Sequence, residues 1–202
     1  EGARREVASI LGVHAEEVVF TSGGTEADAL AVVGGARAAR AAEPDRTRVA
    51  FSAAEHAAVR EAALSLGGLG FEPVELPVDG CGLPRAEALA KAIGPRTALV
   101  SLILANNETG VLNGALPATA RAARNAGVLV HADAVQAVGK VPVSPAGLGV
   151  DLLSFTAHKL GGPRGAGVLW ARDGVRLAPL FVGGGQERGR RGGTENVAAI
   201  VG

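Results

Sequence analysis

The sequence predicts a three-layer α/β/α domain on a mainly parallel sheet. Three observations predict it. Short apolar runs alternate with Ala-rich helical stretches along almost the whole chain. Residues 97–104, TALVSLIL, are nearly continuously apolar, as in a strand covered on both faces. The length of 202 residues fits one large domain, and a chain of that size can bury about 70% of the surface its unfolded form exposes.

The elements follow in order. The chain opens in an amphipathic helix, with Val7, Ile10 and Leu11 spaced for one face. VVF (18–20) is the first strand and precedes a helix from Thr25 to Arg40. RVAF (48–51) precedes a helix from His56 to Leu66, and FEPVEL (71–76) reads as the next strand. After the turn VDGCG, a short helix runs from Pro84 to Ala92, with proline at the favoured first helical position. TALVSLIL is followed by a helix from Pro117 to Asn125 that ends at Gly127, and VLVHAD (128–133) is the next buried strand. DLLSF (151–155) and GVLW (167–170) complete the set. No internal repeat or low-complexity linker divides residues 1–202, so a single domain is expected. Both the opening helix and the closing AAIVG read as interrupted patterns, and the expectation is a fragment cut at both ends.

Composition narrows the function classes. Aromatic residues are 3% of the chain, so the core must be built from Ala, Val and Leu, with Phe20, Phe51, Phe71, Phe155, Phe181 and Trp170 as scarce bulky fillers. Twenty basic and twenty acidic residues cancel. That balance removes the broad electrostatic case for nucleic acid or an anionic membrane as the main partner. A single cysteine, Cys81, allows no intrachain disulfide and fits a reducing compartment. No signal-peptide pattern and no membrane-spanning apolar stretch is present, so a cytoplasmic protein is expected. Lysine occurs only at 91, 140 and 159, against 17 arginines. Each lysine is therefore informative.

In an open α/β sheet, ligands sit outside the carboxyl ends of the strands, so the residues just after each strand are the candidates. TSGGTEAD follows VVF: Gly23 and Gly24 let backbone approach an anion at a helix start, and Thr25 adds a hydroxyl. The bland alternative is an ordinary cap by Ser22 or Thr25, with Glu26 nearby. SAAEH places His56 at the second strand end, and ANNETG follows the third, where paired asparagines before glycine also suit a plain turn. Asp133 ends an apolar strand, where an unpaired carboxylate is costly, so a cation or donor should face it; a loop cap is the alternative. TAHK then brings Thr156, His158 and Lys159 together. An amine, an acid and an anion cradle at one sheet edge suit pyridoxal phosphate: the amine forms the Schiff base, the acid keeps the pyridine nitrogen protonated, the cradle holds the phosphate.

These segments resemble the class V aminotransferase family of pyridoxal-phosphate enzymes, and within it the cysteine desulfurases of the NifS/IscS type. The resemblance runs end to end through VVFTSGGTEADALA, SAAEH, ILANNETGVLN, VHADAVQAVGKVP, SFTAHKLGGPRGAGVLW and VGGGQERGRRGGTENVAAIVG. It implies the large domain of the fold-type I transferases, without an N-terminal segment and a C-terminal small domain. By the same resemblance Lys159 is the Schiff-base lysine and later the base at the substrate α-carbon. His56 stacks on the ring, Asp133 pairs with the pyridinium nitrogen, and Gln136 reaches the phenolic oxygen. Gly24, Thr25, Thr156 and His158 hold the phosphate, while Asn107 lies beside the cofactor and helps place the substrate carboxylate. Thr194 matches a residue that reaches the phosphate of the neighbouring subunit, which implies a homodimer with shared sites.

The implied reaction takes sulfur from L-cysteine, releases L-alanine and leaves a persulfide on a protein cysteine. A sulfur-acceptor protein then serves iron–sulfur cluster assembly or tRNA thiolation. The family's nucleophilic cysteine and a carboxylate-binding arginine belong to segments beyond the part matching RGGTEN. Cys81 lies in VDGCGL, which matches a surface hairpin turn remote from the site, and is not assigned that role. A selenocysteine lyase or another class V lyase or aminotransferase is the alternative within the fold, and a non-catalytic cofactor-binding fragment is the alternative outside it.

Three other motifs carry less. GRRGG resembles RNA-binding RGG elements but occurs once and without interleaved aromatics. GGPRGAG precedes a strand, whereas a dinucleotide fingerprint follows one and opens a helix. His131 with Asp133, His56 and His158 fits no standard zinc spacing, and no metal is expected.

Overall fold

The computed structural model describes all of residues 1–202. Seven strands form one sheet: β1 (Val18–Thr21), β2 (Arg48–Ser52), β3 (Glu72–Leu76), β4 (Thr97–Ile103), β5 (Leu129–Asp133), β6 (Leu152–Thr156) and β7 (Gly167–Ala171). Their order is β1-β7-β6-β5-β4-β2-β3. β3, β2, β4, β5 and β6 run parallel, while β7 lies antiparallel to both β6 and β1. β1 therefore points the same way as the parallel set, and six strands end along one edge. The expected mainly parallel α/β/α architecture is the one observed.

Two helical layers cover the faces. α1 (Gly2–Leu11), α5 (Ala86–Ala92) and α6 (Leu116–Asn125) pack on one side, where Leu11, Leu89, Leu116 and Ala123 meet Val100, Leu102, Val130, Leu153 and Trp170. On the other, α2 (Gly24–Ala29) passes through a π-helical turn (Leu30–Gly34) into α3 (Gly35–Ala42), and α4 (Ala57–Ser65) lies beside them. Leu30, Ala31, Ala36, Val59 and Ala63 there meet Val49, Phe51, Leu99, Leu152 and Leu169. The strand residues of the two sets alternate, which is the period-2 geometry of a sheet buried on both faces. Small residues let the helices come close. A Cβ added at Gly35 would sit 3.1 Å from Leu99 Cδ1, and one at Gly34 would sit 2.7 Å from the Ala178 carbonyl oxygen.

Several expectations need correction. Pro84 does not start a helix; it bridges to Val78 in an antiparallel turn, and α5 begins at Ala86 with Arg85 as its extended N-cap. His56 lies outside α4 as its N-cap, because its Nδ1 accepts the Ala58 N–H at 3.1 Å. Phe181 is no core filler: it is 55% exposed beside Val182, while the other five bulky aromatics are buried. A short helix α7 (Pro145–Leu148), capped by Ser144 and closed by Gly149 in the left-handed region, was not foreseen. AAIVG belongs to a final helix, α8 (Val197–Val201), capped by Asn196. No helix is long and apolar enough to cross a membrane.

Candidate active site

Five of the co-directed strand ends surround one cavity of about 240 Å³. β1 delivers Gly24 and Thr25 through the start of α2, β2 delivers His56, and β4 delivers Ile103 and Asn107. β5 contributes Asp133, Val135 and Gln136, and β6 contributes Thr156, His158 and Lys159. Asp28, one turn into α2, completes the wall.

The α2 end is open to an anion. Its N-cap is Gly23, which offers no side-chain hydrogen bond, so neither Ser22 nor Thr25 caps the helix. Glu26 instead reaches back to the Ser22 N–H at 2.8 Å. Burial alone would raise Glu26, but the Arg191 guanidinium and the Ser22 donors outweigh it and hold the carboxyl below its usual range. Gly24 is buried, and a Cβ there would meet Val135 Cγ2 at 3.0 Å. The first-turn N–H groups thus face the cavity with the positive end of a helix that runs on to Ala42.

The asparagine pair divides its work. Asn106 builds the turn, its Oδ1 accepting from the Glu108 and Thr109 N–H groups at 2.9 Å each and its amide donating to the Ala54 carbonyl. Asn107 is left to line the cavity. The loop bearing His56 is fastened similarly, since Glu55 Oε1 accepts the Ile103 N–H at 2.6 Å.

Asp133 is 3% exposed, and its Oδ1 accepts the Val135 N–H at 2.9 Å. A donor therefore faces it, as expected, but no cation is paired with it. Burial pushes its pKa up, against the Val135 hydrogen bond. At the β6 end, Thr156 Oγ1 donates to the Ala166 carbonyl at 3.0 Å. Its lone pair is then free to accept from His158 Nδ1, 3.1 Å away. That bond fixes the His158 ring. Lys159 closes the 3₁₀ turn Ala157–Lys159, exposed and without an ion-pair or hydrogen-bond partner for its Nζ.

Nine sequence-predicted residues (Gly24, Thr25, His56, Asn107, Asp133, Gln136, Thr156, His158 and Lys159) line this one cavity. Thr194 does not; it borders a separate groove with Arg191, Gly165 and Asn196. His131 is fully buried between Ser101 and Ser154, away from the cavity wall that His56 and His158 share. Cys81 is exposed and does not line the cavity, but its turn is nearer than expected, since a Cβ on Gly82 would sit 3.9 Å from Ala54 Cβ. Sequence reasoning missed Asp28 and Glu55. Asp28 left a readable signal: an acid between Ala27 and Leu30 on the apolar stripe of its helix.

The whole chain, residues 1–202, matches the Aminotransferase class-V family. A cysteine desulfurase of Cereibacter sphaeroides is 49% identical over 99% of this chain, and the cysteine desulfurase NifS of Azotobacter vinelandii is 44% identical over 99%. The alignments take in 51% and 49% of those proteins, so the chain spans about half the length of the curated relatives it matches. Among solved structures, a NifS-like protein superposes with a TM-score of 0.89 at 40% identity, covering 99% of this chain and 54% of that one. SspA in complex with cysteine superposes at 0.90 with 35% identity, covering 98% and 57%.

Proposed function

The chain belongs to the class V aminotransferase family, and on that premise we propose that the protein is a pyridoxal-phosphate-dependent cysteine desulfurase whose cofactor is held by this domain. The observation that carries the reading is the cavity itself, where an unpartnered lysine, a buried carboxylate, an imidazole and an uncapped helix start converge from five strands.

The residues present fit the cofactor. Gly24 leaves open the space a Cβ would fill, beside N–H groups suited to a phosphate. Asp133, buried without a cation of its own, suits a protonated ring nitrogen. When bound, pyridoxal phosphate supplies an electron sink conjugated to the substrate amine.

The chain's own groups do the rest. With the cofactor bound, Lys159 Nζ would hold it by its carbonyl carbon and, when free, would serve as the base for the proton on the substrate α-carbon. Asp133 would keep the proton on the ring nitrogen, His56 would cover the ring face, and Gln136 would donate to the phenolic oxygen. Gly24, Thr25, Thr156 and His158 would hold the phosphate, and Asn107 would orient the substrate carboxylate. The substrate is L-cysteine: a protein thiolate would bond to its sulfur as the carbon–sulfur bond breaks, the β-carbon keeping the electron pair and taking up a proton, which yields L-alanine and a persulfide. That thiolate is assigned to a residue outside this chain, because Cys81 does not line the cavity. Thr194, outside its own subunit's cavity, is assigned to the partner subunit's phosphate in a homodimer. A cytoplasmic acceptor protein passes the sulfur to iron–sulfur cluster assembly or tRNA thiolation.

Borohydride reduction of the protein with pyridoxal phosphate tests the reading. One pyridoxyl label is expected, on Lys159, and none in Lys159→Ala. A label that persists in Lys159→Ala, or no label in the wild type, overturns it. Alanine released from L-cysteine by the full protein tests the substrate.

A further inference from the structure

Beneath α2, a polar stripe crosses three central strands of an otherwise apolar layer. Ser101 on β4, His131 on β5 and Ser154 on β6 are all 0% exposed. Ser101 Oγ lies 2.8 Å from His131 Nδ1, His131 Nε2 lies 3.0 Å from Ser154 Oγ, and Ser154 Oγ hydrogen-bonds to Asp28 Oδ1.

The direction of each bond follows from proton counting. A serine hydroxyl has one hydrogen; with Asp28 Oδ1 as the acceptor, that of Ser154 goes to Asp28, and the proton of a neutral Asp28 sits on Oδ2. Ser154 Oγ must then accept from His131 Nε2–H, which leaves Nδ1 bare to accept the Ser101 hydroxyl. All three donors point toward Asp28. The imidazole in the relay is neutral, because burial pushes its pKa down to about 3. Its Nε2, 3.7 Å from Asp28 Oδ1, therefore brings no positive charge.

Asp28 is 1% exposed and lines the cavity that also holds Asp133. Two buried carboxyls in one cavity resist joint ionisation. Asp133 accepts a fixed backbone N–H at 2.9 Å, whereas Asp28, more deeply buried, has one rotatable hydroxyl and only a neutral imidazole nearby. Burial, and then the Asp133 charge, push the Asp28 pKa well up against the Ser154 hydrogen bond.

We propose that Asp28 is a positioning residue for Asp133: a neutral carboxylic acid, oriented by the Ser101–His131–Ser154 relay, that leaves Asp133 as the single ionised carboxylate facing the cavity. The consequence for the cofactor rests on the function proposed above. One ionised carboxylate matches one pyridinium, and a second would leave uncompensated charge in a desolvated wall.

Infrared spectroscopy tests the protonation state with and without pyridoxal phosphate. The acid-carbonyl band of Asp28 should be present in cofactor-free protein, absent from Asp28→Asn, and unchanged when the cofactor is added. Loss of that band on loading, or no band difference between wild type and Asp28→Asn, overturns the proposal. Cofactor affinity is the second readout. Asp28→Asn keeps the oxygen that accepts from Ser154 and should bind within about threefold of wild type, whereas Asp28→Leu strands that hydroxyl and should bind about tenfold or more weakly. Equal losses in the two variants overturn it as well. Absence of any cofactor binding by the wild type counts against the proposed function alone, because the cofactor-free spectra still decide the state of Asp28.

Discussion

Arg4 and Glu187, 183 residues apart, meet in a bidentate ion pair with contacts of 3.0 and 2.6 Å. The Glu187 carboxylate also accepts the Phe20 N–H at 2.9 Å, and the Arg4 guanidinium lies 4.9 Å over the Phe20 ring. The opening helix, the first strand and the glycine-rich loop before Thr194 are thereby fastened at one point. Glu187 and Arg188 hold left-handed backbone angles, φ 47° and 58°, which side chains other than glycine rarely adopt. Because the Glu187 side chain is 0% exposed, Glu187→Ala leaves a buried guanidinium without its partner. A loss of about 3–5 kcal/mol is expected in urea unfolding. A loss below 1 kcal/mol, on the scale of about 0–1 kcal/mol for surface pairs, would show the pair to be peripheral.

Gly167 supports the anion cradle from behind. A Cβ there would fall 2.4–2.6 Å from the Gly23 carbonyl carbon, oxygen and Cα, and backbone cannot swing aside as a side chain can. Gly167→Ala should displace the loop that opens α2 and weaken cofactor binding by about tenfold or more, with a stability loss of about 1–3 kcal/mol. Gly147→Ala, where the new methyl would meet only Ser144 at 3.5 Å or more, is the control and should leave affinity unchanged. Titration of both variants with pyridoxal phosphate checks the pair.

The buried acids and the buried imidazole impose opposite pH dependences. His131 is held neutral, its pKa lowered from 6.5 to about 3 by burial. Its contribution is full above about pH 6.5 and is lost as pH falls toward 3, because the unfolded chain takes up the proton first. Asp28 and Glu55 are raised, chiefly by burial and then by Asp133. Their contribution is full below the ordinary carboxylate range and is lost as pH rises through their elevated values. Urea midpoints across this range should show a flattened acid limb in His131→Asn. Asp28→Asn should flatten the opposite limb, and an unchanged profile in either variant would contradict the assignment.

The strands and most helices were legible because period and apolar runs report local geometry directly. TALVSLIL reads as a doubly covered strand, and the residues after each strand led to the cavity, because α/β topology places those positions together. What could not be read depends on contacts between distant segments. Asp28 meets Ser154 across 126 positions, and the sequence around each gives no sign of the other. Pro84 was placed in a helix by its general preference for the first turn, yet its bridge to Val78 closes a hairpin that local propensity does not encode. Phe181 was counted in the core on hydrophobicity alone, although its loop holds it over Arg191, 5.9 Å from the guanidinium.

Cys81 provides the last separation, between a thiol that is present and a thiol that works. Its turn is organised by backbone, with Asp79 Oδ1 accepting the Cys81 and Leu83 N–H groups at 2.8 and 3.0 Å, so the sulfur is not needed to hold it. Those bonds pull the Asp79 pKa down, which marks the turn as self-contained. Cys81→Ser should therefore change stability by no more than about 0.5 kcal/mol. Alanine formation from L-cysteine by the full protein should be unaffected, since the thiol does not line the cavity. The proximity of Gly82 to Ala54 makes the measurement decisive, because the turn touches the loop that carries His56 and a movement there could bring the sulfur closer. Loss of alanine formation in Cys81→Ser, with cofactor binding intact, would make Cys81 the sulfur acceptor.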